Sequence, residues 1–189
     1  SNPFEINFLN YKNDISTNTK INIKGKKEIK KNTTFNLISL KDASNLIEIK
    51  NLHFDKKFKI IDLGSVRIDL TDEINTINKF EILKKNKNYY LKGQNLNADQ
   101  IITNLLSDTS KSKKILNKDF KIYVEIETLL LDDKYKLNDF KGQLSIKDQE
   151  IFDGKLIGNF SKGKKLKYTI KTRDGEKITT VFLDEADAI

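Results

Sequence analysis

The stretch FKIYVEIET, residues 120–128, decides the fold. Phe120, Ile122, Val124, Ile126 and Thr128 alternate with Lys121, Tyr123, Glu125 and Glu127. A period of two is the mark of a β-strand with one buried face, because successive side chains point to opposite sides of the pleat.

The same rhythm continues to the end of the chain. Asp132-Asp133-Lys134 predicts a hairpin turn, after which Leu144 and Ile146 keep the apolar phase against Gln143, Ser145 and Lys147. Asp153-Gly154 predicts a later turn. Leu166, Tyr168, Ile170 and Thr172 then oppose Lys165, Lys167, Thr169, Lys171 and Arg173. Asp174-Gly175 turns the chain into a last strand read through Ile178, Thr180 and Phe182. Residues 119–189 are therefore expected to form a meander of at least five strands.

The N-terminal part, residues 1–96, reads alike. Candidate strand pairs are Ile21/Ile23, Phe35/Leu37, Ile47/Ile49, Leu52/Phe54, Val66/Ile68/Leu70 and Phe80/Ile82, and the phase slip between Ile49 and Leu52 predicts a bulge. One segment breaks the pattern. Ile101, Ile102, Leu105 and Leu106 form a helical stripe, with Asn97 and Gln100 spaced as a capping box, which predicts a helix over 97–107 and a polar linker to 118. Asp99 and Asp187, in Ala98-Asp99-x-Ile101 and Ala186-Asp187-x-Ile189, stand 187 − 99 = 88 positions apart. That match predicts a degenerate repeat of strands followed by a helix, with the second helix beginning as the sequence ends.

Composition narrows the function classes. Eleven Phe and six Tyr in 189 residues, with abundant Ile, place the chain among folded domains even at 37% apolar content. The net charge of +8 prompts a nucleic-acid or anionic-membrane reading, but Arg67 and Arg173 are the only arginines among 35 cations, and base recognition leans on guanidinium groups. The wealth of Lys, Asn and Ile reads as the codon bias of a low-G+C genome. Cysteine is absent, which excludes disulfides and thiol catalysis. Methionine is absent too, so Ser1-Asn2 reads as a processing scar and the chain as a piece of something longer. No apolar run approaches the roughly 18–20 residues that span a bilayer.

Signs of catalysis are weak. His53 is the single histidine, on a strand and opposite in phase to Leu52 and Phe54. The carboxylates Asp69/Asp72/Glu73, Asp132/Asp133 and Asp184/Glu185/Asp187 read as turns and helix N-termini rather than as acid–base pairs or a calcium loop. No phosphate-cradling glycine loop or metal-ligand cluster is visible. The expectation is a non-enzyme without cofactor or metal. Lys165, Lys167, Lys171 and Arg173 form a basic row, read as a solvated face or one for anionic lipid headgroups or nucleic acid. Tyr168 is in the opposite phase, so the row lacks the aromatic platform of a single-strand nucleic-acid site, and no nucleic-acid partner is expected.

About a dozen strands each offer an apolar face, and one helix is available to cover them. Either two sheets close as a sandwich, or one sheet curls with its apolar face inward and leaves a greasy groove. An acyl chain suits such a groove, since each buried methylene returns about 0.8 kcal/mol.

The order Leu91-Lys92-Gly93-Gln94-Asn95-Leu96-Asn97-Ala98, then Ile101-Ile102-x-x-Leu105-Leu106, then the meander from Phe120 to Phe182-Leu183-Asp184-Glu185-Ala186-Asp187-Ala188, resembles the AsmA-like superfamily of bacterial envelope proteins, in particular its YhdP-type repeats. The family's strand-to-helix junction has Gly where this chain has Ile189. The resemblance implies a periplasmic protein, anchored in the inner membrane by a segment outside these residues, with further repeats of the same parent chain. It implies a curled sheet that conducts phospholipid for outer-membrane homeostasis. The alternation itself supplies the lining candidates: Phe120, Ile122, Val124, Ile126, Leu144, Ile146, Leu166, Tyr168, Ile170 and Phe182. A structural or adhesive β module with a closed core is the other reading.

Overall fold

The computed structural model describes residues 5–6, 9, 11–12, 18–27, 32–42, 44–71, 75–101, 118–132, 134–148 and 150–184, with the backbone alone at 162. Among them are thirteen strands: β1 (Glu5–Ile6), β2 (Tyr11–Lys12), β3 (Lys20–Lys27), β4 (Thr33–Lys41), β5 (Leu46–Phe54), β6 (Ile60–Thr71), β7 (Ile77–Lys85), β8 (Asn88–Asn97), β9 (Phe120–Leu130), β10 (Lys136–Lys147), β11 (Glu150–Asn159), β12 (Lys165–Arg173) and β13 (Glu176–Leu183). Strands β3 to β13 form one sheet in simple sequence order, while β1 and β2 pair separately. The sheet is open, with β3 at one edge and β13 at the other. The sandwich alternative is not what forms.

Every neighbouring pair in the large sheet is antiparallel except β8 and β9, which run parallel. Parallel neighbours need a crossover of a dozen or more residues, and residues 98–119 supply it. The crossover starts where the sequence predicts a helix. Asn97 Oδ1 accepts the Asp99 N–H at 3.1 Å, the bond of an N-cap residue, and residues 99–101 are helical. The rest of the predicted helix, and most of the 107–118 linker, lie outside the described residues.

Register makes the two faces legible. Ile23, Ile38, Ile49, Val66, Ile82, Leu91, Val124, Gly142, Leu156, Tyr168 and Val181 are successive cross-strand partners, one from each of the eleven strands. Directly opposed residues share a face, so an apolar row broken only by glycine runs the width of the sheet. One position away on the other face, Glu48, Arg67, Glu81, Lys92, Glu125 and Lys141 are likewise successive partners. Their charges alternate in sign at every step. A register slip of one residue would put charges into the apolar row, so the two rows together hold β5 to β10 in place.

The apolar face is the inside of a curl. Val124, Ile126 and Ile170 are 8%, 1% and 3% exposed, yet no second sheet lies over them among the described residues. On a flat single layer they would stand in solvent. Neighbouring strands rotate by roughly 20° on average, and open sheets of more than about ten strands coil on themselves.

The predicted slip between Ile49 and Leu52 takes a different form. Lys50 and Leu52 keep unbroken register with both neighbours, and the irregularity is Asn51 itself, at φ 53°. A side chain on Gly64 would lie 2.9 Å from the Asn51 Cβ, so glycine there makes room for the left-handed residue. A second correction concerns Asp153-Gly154, which lies inside β11. The turn falls earlier, at Asp148 with φ 52°. Gly154 is needed for space, because a Cβ there would meet the Leu144 side chain at 2.5 Å. The turns at Asp132 and at Asp174-Gly175 form as expected: Asp132 Oδ1 accepts the N–H groups of Lys134 and Tyr135, and Asp174 and Gly175 both have positive φ.

Candidate functional site: the apolar trough

Nine of the ten predicted lining residues share one face. Phe120, Ile122 and Ile126 oppose Ile146, Leu144 and Phe140, and Val124 opposes Gly142. Leu166, Tyr168 and Ile170 join them through Gly158, Leu156 and Gly154 of β11. Phe182 does not. It opposes Lys167 on the charged face and is 55% exposed. In β13 it is Val181 that continues the row from Tyr168.

Sequence reading also left the lining incomplete. Leu91 and Leu156 belong to it, and the N-terminal pairs contribute Ile49, Val66 and Ile82 to the same row. Alternation alone could have found Leu156, but the parallel step that brings Leu91 beside Val124 is invisible without the crossover.

The trough is covered at one end and half-open along its middle. Leu9 and Tyr11, 1% and 3% exposed, pack with Leu40, Ile47, Ile68 and Leu70, while Ala98 belongs to the same cluster as Leu96, Leu129 and Leu137. The Tyr11 hydroxyl donates to Asp42 Oδ2 at 2.6 Å. Burial, with that hydrogen bond, pushes the Tyr11 pKa up, so the group stays a proton donor. Along the row, Ile38, Ile49, Val66, Ile82, Leu91, Leu156 and Tyr168 are only half-buried, and the end members Ile23 and Val181 are 58% and 52% exposed. At the margin, Lys84 Nζ lies 2.5 Å from Asp62 Oδ1. Burial raises the Asp62 pKa, but the Lys84 hydrogen bond and charge outweigh it and hold the carboxyl below its ordinary value.

The opposite face is polar and shallowly pitted. A depression of about 560 Å³ is lined by Arg67, Glu81, Lys92, Gln94, Glu125 and Glu127, among others. Lys92 Nζ meets Glu125 Oε2 at 2.6 Å, which raises the lysine pKa and lowers that of the glutamate. Lys92 and Glu125 thus satisfy each other across the parallel β8–β9 pair.

No family model, curated protein or solved structure matches this chain. The site is therefore read from its own geometry.

The other sequence candidates do not extend the apolar row. His53 is half-buried opposite Asp62. Asp184 Oδ2 accepts the Lys165 N–H at 2.8 Å, tying the end of β13 to the start of β12, a strand-end role in place of the expected turn or helix N-terminus. Asp72, Glu73, Asp133, Glu185 and Asp187 lie outside the described residues. Among the described residues there is no group of three His, Cys, Asp or Glu side chains that could hold a metal, and no helix is long and apolar enough to cross a membrane. Lys165, Lys167, Lys171 and Arg173 are exposed on one face of β12, as a row.

Proposed function

We propose that this chain is a module of a periplasmic, membrane-anchored AsmA-like protein that carries phospholipid by its acyl chains along the apolar face of the curled sheet. One observation carries the reading: an apolar row spans eleven strands, and every member of it except Val124 keeps some exposure. A stable soluble domain normally covers such a face with a second layer, and contiguous exposed apolar surface marks a binding site. An extended acyl chain matches the face in chemistry, and its headgroup remains in water at the margin. A chain of about 14 carbons returns roughly 10 kcal/mol on full burial, before the costs of ordering it. The mechanism is passive: tails exchange one apolar contact for the next, and no residue changes its covalent state.

The test is uptake of a phospholipid bearing a fluorescent acyl chain. Saturable binding that competes with unlabelled phospholipid and falls in Val124→Asp supports the reading. Absence of uptake by the folded chain leaves a structural module without a ligand instead.

A further inference from the structure

The charged face is not uniform. Across β5 to β10 its central row alternates in sign, from Glu48 to Lys141. Beyond β10 the alternation stops. Lys155 of β11 and Lys165, Lys167, Lys171 and Arg173 of β12 are exposed, and none is in an ion pair among the described residues. The acidic groups nearby are Glu150, paired with Lys177 at 3.2 Å, Asp153, whose Oδ1 accepts the Thr172 N–H at 3.4 Å, Asp174 in the β12–β13 turn, Glu176 opposite Arg173, and Asp184, whose Oδ2 accepts the Lys165 N–H at 2.8 Å.

Apolar side chains are set among these cations. One cross-strand row reads Lys141, Ile157, Lys167, Phe182, and Lys171 opposes Ile178. Ile178 and Phe182 are 52% and 55% exposed. Phe and Ile side chains standing in water beside unpaired lysines have the composition of a surface that lies on a membrane, with apolar groups entering the headgroup region and cations meeting anionic lipids. A single-stranded nucleic acid would need successive aromatic platforms. On β12 and β13 Phe182 is the single aromatic side chain of that face, because Tyr168 faces the trough.

We infer that the charged face of β11 to β13 docks on an anionic bilayer surface, with Lys167 and Lys171 binding lipid phosphates and Phe182 and Ile178 inserted between headgroups. This surface lies on the side of the sheet opposite the trough and does not depend on the lipid-carrying proposal.

The experiment is co-sedimentation of the whole chain with vesicles of phosphatidylcholine alone and of phosphatidylcholine with about a third phosphatidylglycerol. Binding is expected to the anionic vesicles only, and to weaken as salt rises. Each cation near the surface accounts for about fivefold in partitioning, so the double variant Lys167→Gln, Lys171→Gln should lose about 25-fold. Phe182→Ser should lose about tenfold while leaving all the charges in place. All three substituted positions are exposed, and an unchanged melting temperature verifies that the fold is kept. Equal binding to both vesicle types, no binding to either, or preferential retention of a single-stranded oligonucleotide at the same salt would overturn the inference.

Discussion

Tyr11 fastens the N-terminal cover to the sheet, and removing its hydroxyl isolates that fastening. In Tyr11→Phe the ring stays buried, so the apolar contribution is unchanged. What disappears is the 2.6 Å hydrogen bond to Asp42 Oδ2, between residues only 3% and 5% exposed, together with the hydroxyl's contact with the Asn45 side chain. A hydrogen bond to a charged group is worth about 1.5–3 kcal/mol, and more when its loss strands a buried partner. Among the described residues, the Asn45 N–H at 3.3 Å from its other oxygen is what Asp42 keeps. The expected cost is therefore about 2 kcal/mol. For a chain of this size that lowers the melting temperature by about 4–8 °C. Urea and thermal unfolding followed by circular dichroism measure it, and a cycle with Asp42→Ala apportions it. The double variant should be less destabilised than the two single changes summed, because it leaves no buried group without its partner. A Tyr11→Phe variant within about 0.5 kcal/mol of the parent, with an additive cycle, would refute the reasoning.

Gly142→Ala should cost about 3 kcal/mol, since its Cβ would stand 2.0 Å from the Lys155 carbonyl oxygen. Gly163→Ala, with nothing within 4 Å and only its φ of 76° at stake, should cost about 1–2 kcal/mol in the same denaturation assay. Because Lys84 depresses the folded-state pKa of Asp62, their pairing stabilises the fold above the unfolded carboxyl value of about 4 and is lost as pH falls through the folded value. The stability gap between the parent and Lys84→Met should therefore narrow from pH 6 to acid, and a gap independent of pH would contradict the assignment. Strand β13 is an exposed edge on which Thr179, Thr180 and Val181 stand without a covering element among the described residues. Val181→Lys should reduce concentration-dependent self-association measured by sedimentation velocity, as charges on edge strands do.

The meander was legible because alternation is a local property that burial on one face imposes residue by residue. Its phase is not local. In β13, Ile178, Thr180 and Phe182 alternate as plausibly as Thr179, Val181 and Leu183, and only pairing with β12 shows which set faces the trough. An edge strand exposed on both sides leaves both sets acceptable. Asp153-Gly154 carried a turn signal for a packing reason, the space Leu144 needs. The parallel β8–β9 step was hidden because sequence marks the crossover only as a helix start and a polar linker. The predicted 88-residue offset gains positional support: Asn51 and Asp139, Asn75 and Gly163, and Asn86 and Asp174 are each 88 apart, and every one has positive φ. Strands β7 and β12, and β8 and β13, begin at that same spacing. Backbone kinks thus preserve a spacing that the side chains have largely lost, and it sets β4 to β8 against β9 to β13, with β1 to β3 outside the match.

The most direct measurement is native mass spectrometry of the purified chain, with organic extraction to identify whatever travels with it. The account predicts a phospholipid at near-stoichiometric amount, lost in Val124→Asp and in Ile170→Asp variants that keep the parent's circular dichroism. A lipid-free mass for the folded parent, unchanged after incubation with phospholipid, would contradict it.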